Sequence, residues 1–253
     1  MFKNSFDYFS WCTEMVEEAG LDIGFKLFGL EHILWNVVMG IMIILVAWFY
    51  KKADINKRKI YRYVVAGLLV LDEIIKIICL VYNGRYSVSY LPLHLCSIGI
   101  FISLWHSLKP NKFNFELIYC LQIPGAVIAM LMPTWTCLPF LNLMSIHSFT
   151  VHALLILYGV LLLVGKEQKH TLKGFIGAVA FILIYAIPIA IINTKFNTNF
   201  LFINHTNENP FLILLEGIFK YHQIGILLSV AILWSIMYMP FYIKKGKKNS
   251  NVN

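Results

Sequence analysis

The hexapeptide Leu91-Pro92-Leu93-His94-Leu95-Cys96 opens an apolar run. A thiol there, with histidines in other apolar runs, supplies the parts of a nucleophile and base: sulfur attacks an acyl carbon once imidazole takes its proton. His147 and His152 both fall in the apolar stretch 143–164, where ionisable groups are rare and point by default to function. Five residues at about 100° each set them some 140° apart on a helix, so one site does not easily use both. His152 continues a stripe through Ser145 and Ser148, whereas His147 is flanked by Leu143, Met144 and Val151. The polar stripe favours His152 as the partner of Cys96, with His147 and Ser148 as supporting residues. Against this stands the bland reading, in which a buried cysteine is inert packing.

Other residues offer support. His94 is two positions from Cys96 and so about 200° around a helix, which suits an entrance residue. Cys96, Gly99 and Ser103 form a small-residue face that lets membrane helices approach closely. Asp72, Glu73 and Lys76 sit in one apolar run at spacings that let the lysine neutralise either acid. They read as an internally compensated ion pair, as the orienting group of a catalytic histidine, or as an ion pathway. Gln122-Ile123-Pro124-Gly125 must break a helix in mid-membrane and expose backbone groups, with Gln122 as a further candidate donor. Pro188 offers a second kink, and Glu216 and Lys220 read as an i, i+4 pair on an interfacial helix. His32, His106, His170 and His205 carry no signal alone. The histidines lack paired ligand spacing on one face, so no metal is read and no cofactor is called for.

Elements that position these groups follow from composition. With 59% hydrophobic and 13% charged residues in 253, the chain cannot cover a soluble globule with polar surface. The expected fold is all-α, a polytopic membrane bundle, because about seven windows have the roughly 20 apolar residues of a span. They lie near 33–50, 62–82, 91–108, 114–133, 143–164, 174–193 and 222–243. The net charge of +8 suggests nucleic acid only until its distribution is seen: the cations sit in alternate connectors. Lys51 to Arg62, Lys109 and Lys112, Lys166 to Lys173, and Lys244 to Lys248 mark the cytoplasmic side by the positive-inside rule. The N terminus is then outside and the C terminus inside. One integral membrane domain is expected over 1–253: an outer interfacial leader (1–32), the helices (33–243) and a basic tail (244–253).

The leader lacks a signal peptide's basic start and cleavage site and reads as mature sequence, with Phe6, Phe9 and Trp11 in the headgroups. Of five cysteines, Cys12 and Cys137 fall on the outer side, where a disulfide stays open. Abundant Lys, Asn and Ile hints at an AT-rich, bacterial genome and so a bacterial cell membrane. If the third span runs inward from Leu91, with Pro92 in its first turn, Cys96 lies roughly 8 Å deep at about 1.5 Å per residue. His147 and His152 then lie near 6 and 14 Å by the same rise.

Taken together, LPLHLCSIGIF (91–101), QIPGAVIAMLMP (122–133), IHSFTVHALLIL (146–157) and NTNFLFI (197–203) resemble a known family. It comprises the YwaF-like bacterial membrane proteins, related to the eukaryotic transmembrane protein 164 family of lipid acyltransferases. The resemblance runs from about Phe25 to Met239. It implies a cysteine-dependent enzyme that moves a fatty acyl chain between phospholipids, or to a lipid acceptor, through an enzyme thioester. The family's cysteine falls on Cys96 and its histidine on His152. Phospholipid is the implied partner, nucleic acid is not, and thioesterase or phospholipase action follows where water replaces the acceptor. A transporter or lipid-translocating protein is the alternative, using Asp72, Glu73 and Lys76 as a polar path.

Overall fold

Local capping accounts for where the helices start. A computed structural model describes residues 9–206 and 209–250, and all regular structure among them is helical. The elements are α1 (Thr13–Glu18), α2 (Leu30–Lys52), α3 (Ile55–Tyr82) and α4 (Leu95–Leu108). Next come α5 (Lys112–Leu131) and α6 (Leu143–Gly165), then α7 (Leu172–Phe196), α8 (Pro210–Ile218) and α9 (His222–Ser250). Asp54 caps α3 by accepting from the N–H groups of Asn56 and Lys57, both at 3.0 Å. This starts the helix at Ile55, ahead of the expected 62, because a capped polar turn continues the apolar helix without interruption. Asn142 caps α6, accepting from the Met144 N–H at 2.8 Å and donating to the Trp11 carbonyl at 2.8 Å.

Among the described residues, five helices are long and apolar enough to cross a membrane: α2, α5, α6, α7 and the His222–Met239 part of α9. The other two expected spans correspond to α3, which carries buried charges, and to α4, which has 14 residues. In α3 the residues facing inward are Arg62, Val65, Ala66, Leu69, Glu73, Lys76, Cys79 and Leu80. Leu68, Leu71, Ile74, Ile75 and Ile78 face outward and are exposed. Ions inside and hydrocarbon outside is the inverse of a soluble helix and suits a lipid solvent.

Three further details differ from the sequence expectation. Residues Val88–Tyr90 form a 3-10 turn, and the Leu93 N–H closes onto the Leu91 carbonyl at 2.7 Å, so α4 starts at Leu95 rather than Leu91. Leu91 has no side-chain oxygen to cap a helix beginning at Pro92, and the tight turn takes its place. Trp11 is partly buried against Cys12, Val16, Cys79 and Leu138, whereas Phe9 is exposed; Phe6 lies outside the described residues. Cys12 and Cys137 are free thiols in that same neighbourhood. Burial raises the Cys12 thiol above its ordinary range and does the same for Cys137.

The break expected at Pro124 is a π turn, Ile118–Gln122, inside α5. Pro124 has no N–H to donate, and the Ile123 N–H reaches back five residues to the Ile118 carbonyl. The chain divides into two compact units, 1–201 and 202–253. In the second, Asn209 caps α8 through the N–H groups of Phe211 and Leu212, and the helix ends at Ile218. Lys220 therefore lies beyond it and sits over the Tyr221 ring rather than one turn from Glu216 on a shared helix.

Replacing Asn142 with Ala removes one acceptor and one donor from a buried junction, and a loss of about 1–3 kcal/mol is expected, read as a lower melting temperature in detergent. Arg85 grips Glu18 bidentately at 2.7 Å, holding that carboxyl below its ordinary value. A depressed carboxyl stabilises above its unfolded value and loses that contribution as pH falls through its folded one. Glu18→Gln should flatten this acid limb without changing stability's pH dependence near neutrality, as measured by melting from pH 3 to 7.

Candidate functional site

The tight turn at Leu91 places Cys96 at the second position of α4, in the first helical turn. His94 is the N-cap residue by its backbone (φ −67, ψ 155), and its imidazole does not cap the helix. The first helical bond runs from the Ile98 N–H to the His94 carbonyl at 3.0 Å. The amides of Leu95, Cys96 and Ser97 precede that ladder, at the positive end of the helix dipole. Tyr185 of α7 steadies the turn, its hydroxyl donating to the Leu93 carbonyl at 2.9 Å. The His94 ring meets Phe200 edge-on at 5.1 Å. Cys96 is half-buried and packs on a cluster of Leu69, Ile100, Ala126, Val151 and Leu155. Its sulfur makes no hydrogen bond among the described residues.

Depth decides which part of α6 faces it. A Cβ added to Gly99 would lie 3.1 Å from Leu155 Cδ2, and further along both helices His106 Nδ1 lies 3.0 Å from the Tyr158 hydroxyl. Both contacts advance in the same direction, so α4 and α6 run parallel. One turn back from Gly99 and Leu155, about 5 Å, lie Cys96 and the Val151–His152 turn. Cys96 packs on the cluster that includes Val151, the residue before His152, and no hydrogen bond joins Cys96 to His152 among the described residues. His152 is buried, its Nδ1 is 2.5 Å from the Ser148 carbonyl oxygen, and its ring stacks on Trp135 at 5.2 Å. A carbonyl only accepts, so Nδ1 carries the hydrogen and Nε2 holds the lone pair.

His147 lies nearer the N-terminal end of the same helix. Its Nδ1 is 3.3 Å from Asp72 Oδ1, at ion-pair distance but without hydrogen-bond alignment. Thr150 donates to Asp72 Oδ2 at 3.0 Å. Lys76 takes the other acid, bonding Glu73 at 2.5 Å. The charges that a polar path would need are thus paired, one set within α3 and one across to α6. Ser148 Oγ donates to the Met144 carbonyl at 2.8 Å. Gln122 is an inter-helix strut: it accepts from Ser103 at 2.9 Å and donates to the Leu155 carbonyl at 2.9 Å.

Several polar residues escaped the sequence reading. His32 accepts from the Phe28 N–H at 3.0 Å and its other nitrogen meets the Met130 carbonyl at 2.8 Å. Glu167 binds Tyr50 and Arg62. Glu116 accepts from the Thr171 N–H at 2.7 Å and pairs with His170 at 3.0 Å. A signal for the two acids existed: no other Asp or Glu occurs between Glu73 and Glu208. A solitary acid in a long cation-bearing stretch marks a partner to be found.

The TMEM164 family model matches residues 27–238, a stretch that takes in Cys96, both α6 histidines and the α3 charges. The chain belongs to the TMEM164 family. No curated protein and no solved structure matches it. In this TMEM164-family chain the matched region covers every helix from α3 to α8 in full. It is an integral membrane protein, given five helices apolar enough to span and the charge-inward face of α3.

Removing one member of the buried Glu73–Lys76 pair strands the other charge. Lys76→Met should cost about 3–5 kcal/mol, and the double change Lys76→Met with Glu73→Leu should recover most of it, measured by thermal melting in one detergent.

Proposed function

We propose that this protein is a membrane acyltransferase that moves a fatty acyl chain between phospholipids, or onto another lipid acceptor, through a thioester on Cys96. In this reading α3 and α4 join the five apolar helices as crossings, the N terminus is outside, and the site opens to the outer leaflet of a bacterial cell membrane. Alternating basic connectors support that orientation. Family membership supports a role in lipid chemistry. The observation that carries the reading is the packing of Cys96 on the cluster that includes Val151, the neighbour of His152, with the lone pair of His152 on Nε2.

Chemically, His152 Nε2 takes the thiol proton and the sulfur attacks a glycerol ester carbonyl. First-turn amides of α4 supply donors for the oxyanion and favour the thiolate; Gln122, engaged with two partners, is released from that role. The C–O bond breaks, and His152 returns its proton to the leaving alkoxide. An acceptor hydroxyl then attacks the thioester while a histidine base takes its proton, the C–S bond breaks with Cys96 leaving as the thiolate, and that proton restores the thiol. Glycerol esters sit at the edge of a hydrocarbon core roughly 30 Å thick, and a nucleophile at a helix start near that edge meets them without drawing a lipid deep inside.

Intact mass spectrometry of the purified protein incubated with a diacyl phospholipid tests this. An acyl adduct localised to Cys96 and removed by hydroxylamine is expected. Cys96→Ala should abolish it, and His152→Ala should slow its formation by about 10²-fold or more. An unmodified wild-type protein across several lipid mixtures would overturn the proposal.

A further inference from the structure

We infer that the two α6 histidines divide the reaction: His152 serves the thiol, and His147, held by Asp72, is the base for the acceptor hydroxyl. The inference rests on the acyltransferase reading and assigns its second half-reaction. A proton taken inside an apolar site leaves an imidazolium that needs a counter-anion at close range. When His152 takes the Cys96 proton, the thiolate it creates is that anion. Once the sulfur is acylated no thiolate remains, and the neighbour of His152 Nδ1 is a neutral carbonyl, that of Ser148. His147 differs, because a carboxylate lies 3.3 Å from its Nδ1. Lys76 is engaged with Glu73, and Thr150 steadies the second oxygen of Asp72 at 3.0 Å. Asp72 acts through His147 and is therefore a positioning residue, whereas His147 would touch the acceptor.

Placement agrees with the chemistry. His147 lies five residues from His152, about 7.5 Å of rise and some 140° around α6, one turn from Val151 of the cluster on which Cys96 packs, so the two imidazoles would approach the thioester from different sides. An acceptor oxygen about 3 Å from the thioester carbon and a base about 3 Å beyond it span a similar distance from the sulfur. The hydroxyl of a lysolipid sits on the interfacial side of the acyl chain, where His147 lies. In the step itself, the acceptor O–H proton passes to His147 Nε2 and the oxygen attacks the thioester carbonyl. The C–S bond then breaks, the acyl ester forms, and the proton on His147 returns to the Cys96 thiolate, restoring thiol and neutral imidazole.

The full chain in detergent with a diacyl phospholipid as donor and a lysophospholipid as acceptor separates the two halves. Asp72→Asn and His147→Gln should still load acyl on Cys96, while transfer from that adduct to the lysophospholipid falls by about 10²-fold, so the adduct accumulates. Asp72→Glu should regain part of the rate. Loading at the wild-type rate with discharge also at the wild-type rate would overturn the division of roles. So would loss of loading in both variants, because the halves would then share one base. A wild-type chain that never loads removes the acyltransferase reading itself, and this inference with it.

Discussion

Hydrocarbon offers no hydrogen bonds, so polar groups on the inward face of α3 turn to partners within the protein. That constraint organises the first unit. The outward side of α3 is hydrocarbon, and its inward face carries Arg62, Glu73 and Lys76. Arg62 pairs with Glu167 from the connector after α6, Lys76 with Glu73 one turn away, and Asp72 accepts from Thr150 of α6 and lies at ion-pair distance from His147. The α3–α6 contact is thereby set by charge pairing as well as by packing. The register of α6 that results is the one that presents His147 to a carboxylate.

Two departures from regular helix shape the surroundings of the thiol. The tight turn at Leu91 delays α4 until Leu95, which brings Cys96 into a first turn whose amides are outside the helical ladder. The π turn at Ile118–Gln122 lets α5 pass the missing donor of Pro124. It also turns Gln122 between α4 and α6, where its amide ties Ser103 to the Leu155 backbone. Close approach matters at the same place: a Cβ on Gly159 would lie 2.4 Å from Ile123 Cγ1, so only glycine admits the α5 bend there. These contacts join α4, α5 and α6 beside the cluster on which Cys96 packs.

Membership of the TMEM164 family ties this arrangement to a defined group of membrane proteins over most of the chain. The polar groups around Cys96 are not interchangeable within it. His152 is oriented by a carbonyl of its own helix and by Trp135, whereas His147 is oriented by a carboxylate from another helix. Equal residue types in one helix thus acquire different electrostatic surroundings.

By itself the sequence determined the class of the protein and most helix positions, because apolar composition, alternating basic connectors and the need for about 20 residues per span are local properties. Cys96, His147, His152 and Asp72 were legible for the same reason: ionisable or nucleophilic groups stand out against hydrocarbon. The start of α4 was not, since Pro92 suits a first turn and only the competition between a capped helix and a tight turn excludes it there. The choice of Glu73 by Lys76, the strut role of Gln122, and the partners of Glu116 and Glu167 were decided by tertiary structure. Lys76 chose between two acids on its own helix, and the other partners, 19 to 117 residues away along the chain, depend on which helix faces which, something that spacing along one chain does not record.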